Sequence, residues 1–297
     1  MEWEKDATFY SDFLILMSLL IPNPSHLQKI LERIRFDGDD NLHILADFDR
    51  TLTYGSQNGM KTTTIVSLLR DGKHLREDYA KRAHQLYDIY NPIEIDSSLS
   101  IEEKKPLMTE WWNKHFELMI ECGLKMSDIE DVLVKSHLQF RTWVRIFLQR
   151  CYETHVPVII ISASACGEAI PIFFQKHEMD FSNISYVCNQ FEWRSDGTAC
   201  AVREPIIHVF NKDETILETL PEVFDKIHNR KNIILLWDSL WDIGMSTGFD
   251  YTNLLKIGFL NISDTIMREQ FAKNFDIIVE WDNDFSELNT YLQPLLH

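Results

Sequence analysis

Glycine and proline are scarce in this chain of 297 residues, at 10 and 9, which excludes collagen-like and linker-rich architectures. Cysteine is sparse as well. Cys122, Cys151, Cys166, Cys188 and Cys200 are odd in number, widely spaced and free of any C-x-x-C, so they outline no disulfide framework. They predict free thiols in a reducing, cytoplasmic compartment. The histidines contain no H-E-x-x-H and no paired Cys/His pattern, which argues against zinc. Positive charge is in deficit: 29 Lys and Arg face 46 Asp and Glu, for a net charge of −17. Such a surface repels phosphate polymers, so no nucleic-acid partner is expected. A small anionic substrate stays open, because a few local cations outweigh a distant net charge. Long apolar runs are missing too. The longest, FLILMSLLI at residues 13–21, falls far short of the roughly 20 residues a spanning helix needs. The acidic stretch before it lacks the basic start of a signal peptide. No membrane partner is expected, and residues 13–21 are predicted as an N-terminal helix packed on the core. Nothing in the pattern specifies an oligomer.

What is present is ordinary globular material, 45% apolar and 25% charged. Short β-branched runs occur at residues 42–48, 156–162, 184–188, 206–210, 232–237, 254–259 and 276–280. Without polar alternation they read as parallel strands covered on both faces. Helical segments at 167–177 and 216–229 alternate with them, which predicts a doubly wound α/β fold. Asn23-Pro24-Ser25 marks a helix start. From about residue 61 to 150 the periodicity is helical only, so this block reads as an inserted cap domain (61–150) within an α/β core (1–60 and 151–297). Asp196-Gly197, between short β-like runs, signals a hairpin.

The chemistry-bearing residues fall at strand ends. The first strand closes in Asp47-Phe48-Asp49-Arg50-Thr51, where open α/β sheets place their ligands. Two neighbouring acids repel unless a cation neutralises them or one takes a proton. Hard oxygen pairs suit Mg²⁺ completed by phosphate and water. A later strand ends in Ser162-Ala163-Ser164, Lys212 follows the run IIHVF, and Asp238 and Asp242 follow NIILLW. Asp242 reads equally as an N-cap of the segment after it. Cys166, His115 and His208 read as packed residues. Trp111 and Trp112 are adjacent on a helix, so at least one is expected in the cap core.

In that order, D-x-D-x-T, S, K and D-x-x-x-D resemble the haloacid dehalogenase superfamily of phosphohydrolases. The stretches DFDRTLTYGSQNG, EWWNKH, IISASACGEAI, FEWRSDGT, EPIIHVFNKDE and LLWDSLWDIGMSTG are similar to the cytosolic pyrimidine 5′-nucleotidase (class III) family from about residue 22 to the C-terminus. The resemblance implies a Rossmann-like parallel sheet core with a helical cap, and Mg²⁺-dependent hydrolysis of a nucleoside 5′-monophosphate, pyrimidine preferred. It implies Asp47 as nucleophile, Asp49 as acid/base and Thr51 as the residue orienting that acid. Ser162, Ala163 and Lys212 would hold the phosphate. Asp47, Asp49 through its carbonyl, and Asp238 would hold the metal, with Asp242 one layer out. Glu110 would contact the base, with Trp111 stacked beside it. An enzymatic alternative is 7-methylguanosine monophosphate, sandwiched between Trp111 and Trp112. A third is a relative that binds nucleotide without hydrolysing it. The chain departs from the family where Trp237 and Trp241 replace glycines, where Ser164 replaces another, and in the loop Tyr54-Gly55-Ser56-Gln57. Either tryptophan can point into neighbouring packing or fill space the phosphate needs.

Overall fold

The computed structural model describes residues 18–57, 60–212, 214–240, 250–262 and 264–297. Its strands in chain order are β1 (Leu19–Leu20), β2 (Leu42–Ala46), β3 (Ser56–Gln57), β4 (Met60–Lys61), β5 (Val158–Ser162), β6 (Ile184–Cys188), β7 (Phe191–Trp193), β8 (Ala199–Val202), β9 (Asn232–Trp237), β10 (Asn253–Leu260) and β11 (Ile277–Glu280). Seven of them form one sheet in the order β1-β11-β10-β9-β2-β5-β6. All its pairings are parallel except that of β1 with β11. Every residue of β2, β5 and β9 is buried, as expected of central strands covered by helices on both faces.

Two apolar clusters enclose the sheet. Ile44, Ile160, Ile234 and Leu236 pack to one side, while Leu45, Ile159, Ile161, Leu235 and Trp237 pack to the other. The alternation follows from the two-residue period of a strand. The helix Pro24–Asp37 starts as its sequence directs: Asn23 accepts from the His26 N–H, and Pro24 stands where a missing donor costs nothing. β7 and β8 form the expected hairpin, with Gly197 at φ 79°. Between β4 and β5 lie only helices: Ile65–Asp71, Tyr79–Ile95, Ile101–Glu121, Met126–Lys135 and Val144–Glu153. The last of these packs toward the sheet, with Phe147 against Phe285 and Arg150 donating to the Leu296 carbonyl.

Three expectations are corrected. Leu19–Leu20 is not helical but an antiparallel strand capping the edge of β11, which removes an exposed row of backbone donors and acceptors; residues 13–17 lie outside the described ones. The helix expected at 216–229 is two, Glu214–Glu218 and Pro221–Ile227, because Pro221 cannot continue a helix and starts a new one instead. The run 206–210 forms no strand at all. Its backbone is satisfied by amide side chains: Asn189 Oδ1 accepts from the Ile207 N–H, Asn189 Nδ2 donates to the Ile207 carbonyl, and Asn211 bonds the backbone of Ile206 and His208.

Candidate active site

Three neighbouring parallel strands end side by side. Ala46 pairs with Ile160 on one flank and Leu236 on the other, so Asp47, Ser162 and Asp238 follow at one edge of the sheet. The Asp47 N–H donates to the Leu236 carbonyl (3.1 Å) and fixes the turn out of β2. Lys212 reaches this edge from the irregular segment, its ammonium 2.8 Å from Asp47 Oδ1, with both side chains under a tenth exposed. A buried pair of this kind is held by charge and hydrogen bond together. Beside it the Asp49 carboxyl is pushed up to about 6, first by burial and then by the charge of Asp47, with Lys212 and Arg50 opposing.

Ser162 is buried, and its Oγ accepts from the Ser164 N–H at 3.1 Å. That bond leaves the Ser162 proton free to be donated outward. Ala163 is half-buried in the same turn. Asn189 joins this turn to the lysine segment, donating to the carbonyls of Ser164 (3.1 Å) and Ile207 (2.8 Å). At Gly167 the chain passes so close to Asn189 that an added Cβ would meet its carbonyl oxygen at 2.1 Å; no larger residue fits there. Trp237 is 1% exposed within the second cluster, and the Lys212 ammonium lies 5.0 Å above its ring centre. Of the two outcomes open to this ring, it takes the packed one. Trp241 and Asp242 fall outside the described residues.

Thr51, expected to orient Asp49, makes no hydrogen bond to it among the described residues. It is fully buried, its hydroxyl has no hydrogen-bond partner among the described residues, and only its backbone is engaged. Nearby, Thr53 Oγ1 accepts from the Arg50 N–H at 3.0 Å. Glu110 stands apart from this cluster, exposed on the helix Ile101–Glu121 and paired with Lys114 at 2.5 Å. Trp111 stacks on Tyr90 (5.8 Å) and on Trp112 (6.1 Å). A base inserted between two rings needs roughly 7 Å, two van der Waals layers, and the Trp111–Trp112 pair does not offer that. The sandwich expected there is therefore corrected. His115 and His208 are buried as expected, bonded to Tyr79 and Thr109, and Cys166 is a buried, unpaired thiol.

Mg²⁺ suits this edge by the chemistry of its donors. Asp47 and Asp238 present hard carboxylate oxygens, and the Asp49 carboxyl is destabilised as an anion by Asp47, a condition that a cation relieves. Among the described residues no three His, Cys, Asp or Glu side chains gather as a complete metal cluster. Two carboxylates plus a backbone carbonyl, completed by phosphate and water, match how this ion is commonly held.

Sequence reasoning missed Asn189 and Arg141. Asn189 was findable, as a polar residue closing an apolar strand like Ser162 does. Arg141 carries no local pattern.

Comparison with known proteins agrees with the geometry. Solved structures include cytosolic 5′-nucleotidase IIIB bound to cytidine, with TM-score 0.83 and 26% identity over 96% of this chain and 95% of that one. A phosphoserine phosphohydrolase-like protein from Francisella tularensis, at TM-score 0.51 and 15% identity over 84% and 98% of the two chains, shares the haloacid dehalogenase-type fold. The rat 7-methylguanosine phosphate-specific 5′-nucleotidase is 31% identical over 284 residues, covering 95% of this chain and 94% of the relative. The Xenopus laevis protein of that name, form A, is 32% identical over 272 residues, covering 91% and 93%. A Caenorhabditis elegans protein, putative cytosolic 5′-nucleotidase 3, is 28% identical over 270 residues, covering 89% and 72%. The family model for pyrimidine 5′-nucleotidases (UMPH-1) matches residues 50–296, and the chain belongs to that family.

Proposed function

We propose that this protein hydrolyses nucleoside 5′-monophosphates to nucleoside and phosphate through an aspartyl phosphate on Asp47. The buried Asp47–Lys212 pair at the end of β2, with the raised Asp49 carboxyl beside it, carries the reading. An Asp47 oxygen bonds to phosphorus as the bond to the ribose 5′-oxygen breaks. Asp49 delivers its proton to that leaving oxygen. It then takes a proton from the water that attacks the aspartyl phosphate, freeing phosphate and restoring Asp47. A carboxyl held near 6 serves both directions close to neutrality. Lys212 and the Ser162 hydroxyl, with the Ala163 N–H, stabilise the equatorial oxygens. Asp47, Asp238 and the Asp49 carbonyl would hold Mg²⁺, which supplies further neutralisation of phosphate charge when bound. Of the helical block 61–150, the helices up to Lys135 form the substrate-facing cap, and the chain works in the cytosol on a small nucleotide, without nucleic acid or membrane.

For the base, pyrimidine is the first reading, supported by the family and by the cytidine in the solved relative. A second reading, 7-methylguanosine monophosphate, is favoured by the rat and Xenopus relatives. It no longer draws on a Trp111–Trp112 sandwich. For Glu110 to face the base, its carboxylate has to turn from Lys114.

Phosphate release across CMP, UMP, GMP and 7-methylguanosine monophosphate, with and without Mg²⁺, tests the proposal. Asp47→Asn is nearly isosteric and abolishes release while the fold persists. Comparable release from variant and parent removes the covalent mechanism.

A further inference from the structure

We infer that Arg141 is a positioning residue for Asp49, locking the loop that carries this acid; the inference rests on the reading of Asp49 as acid/base. Arg141 is 1% exposed and lies far from Asp49 in sequence, on no recognisable motif. Yet three successive carbonyls after Asp49 are received by this one residue. Its Nη2 donates to Arg50 O (2.7 Å), its Nε to Thr51 O (2.8 Å) and its backbone N–H to Leu52 O (2.9 Å).

The peptide before these is fixed as well. A trans peptide points its N–H and C=O in opposite directions. The Arg50 N–H donates to Thr53 Oγ1, so the Asp49 carbonyl points the other way. Arg50 itself sits at φ 60°, a left-handed conformation unfavourable for a residue with a Cβ, so the loop relaxes once its carbonyls are released. Arg141 also holds the far end of the loop. It contacts Asp282 at 3.0 Å, and the two Asp282 oxygens receive the N–H groups of Gly55 (2.7 Å) and Ser56 (2.6 Å) and the Ser56 hydroxyl. Asn261 closes the network, accepting from Arg141 Nη2 and donating to Arg50 O at 3.0 Å. Only a planar guanidinium presents donors in enough directions for this set; the lysine ammonium is a point charge on a flexible stem.

The consequence is specific. With Mg²⁺ saturating, so that a weakened Asp49 carbonyl does not limit the ion, a loosened loop misplaces the proton donor for the leaving group and leaves phosphate binding by Lys212 and Ser162 in place. Parent, Asp49→Asn, Arg141→Lys, Asp282→Asn and the double variant Arg141→Lys/Asp49→Asn are compared on CMP and on p-nitrophenyl phosphate, whose leaving group needs little protonation. Arg141→Lys is expected to lose about 100-fold in kcat on CMP, the scale of a misplacement near 1 Å. The loss on p-nitrophenyl phosphate is under tenfold, and KM changes little. In the double variant it adds nothing to Asp49→Asn on CMP. If Arg141→Lys does not fold, Asp282→Asn shows the same leaving-group dependence with a smaller loss. Equal losses on both substrates, a change confined to KM, or additivity with Asp49→Asn overturns the inference. Should Asp49→Asn itself lose equally on both substrates, the acid reading fails first and takes the inference with it.

Discussion

Position 237 carries a tryptophan where the family resemblance implies a glycine. Its ring is packed with Leu45, Ile161 and Leu235, and its buried indole N–H has no hydrogen-bond partner among the described residues. A lost donor partner costs on the order of 1–3 kcal/mol, so the ring is retained for its volume and for the ammonium of Lys212 above it. Cation–π contacts of desolvated groups contribute about 2 kcal/mol. Trp237→Gly therefore removes core volume and one support of Lys212 together. Chemical denaturation is expected to show a loss of about 3–5 kcal/mol, and phosphate release per folded molecule does not rise. A gain in turnover and Mg²⁺ affinity would recast the ring as an obstruction.

The element that joins the phosphate end of the site to the helical segment is the irregular stretch 206–212. Its inner side is held by Asn189. Its outer side meets the helix Ile101–Glu121, where Thr109 bonds His208 at 3.1 Å and the Lys104 ammonium stands 5.2 Å over Phe210. Asn189→Ala unties this stretch from the Ser162 turn, leaving buried backbone groups of Ser164 and Ile207 without partners. Inhibition by inorganic phosphate reads the effect: its Ki is expected to rise roughly tenfold, the equivalent of one weakened charged hydrogen bond. An unchanged Ki means that Lys212 and Ser162 are aligned without Asn189. The same stretch shows where the sequence stops being legible. β2, β5 and β9 can be read directly, because buried parallel strands must be continuous apolar runs. IIHVF is just as apolar, yet it takes its hydrogen bonds from Asn189 and Asn211 and its burial from Met108, Trp111 and the sheet. Composition reports burial and is silent on which partner satisfies the backbone. Asp47, Asp49, Ser162 and Asp238 were expected from strand-end position, and Lys212 from the end of a strand that does not form. Arg141 and Asp282 were not, because their meaning lies in a contact between distant segments.

At the scale of the whole molecule, the acid limit of stability is set by histidines buried without charge. His43 in β2 is pulled down to about 3 by burial and the charge of Arg230, His115 to about 4 by burial and Arg70, and His208 to about 4 by burial and Lys105. An unfolded chain protonates each of them near 6.5. Between that value and the folded one, the unfolded state holds more protons. Stability is therefore fully present above about 6.5 and is lost as pH falls toward 4, at up to about 1.4 kcal/mol per pH unit for each histidine. Carboxyls raised by burial, at Asp49, Glu168 and Asp276, act in the opposite sense, since they take up protons in the folded state first. A single-site comparison separates the two. His115 shares a 3.0 Å hydrogen bond with the Tyr79 hydroxyl and stacks on Trp112. His115→Gln keeps a polar partner for Tyr79 and removes the titration. Urea unfolding of parent and variant at pH 7 and pH 5 is expected to show the parent losing about 2 kcal/mol more than the variant across that interval. If the two lose stability in parallel, His115 carries its proton in the folded state, and the buried aromatic stack of the helical segment holds a charge.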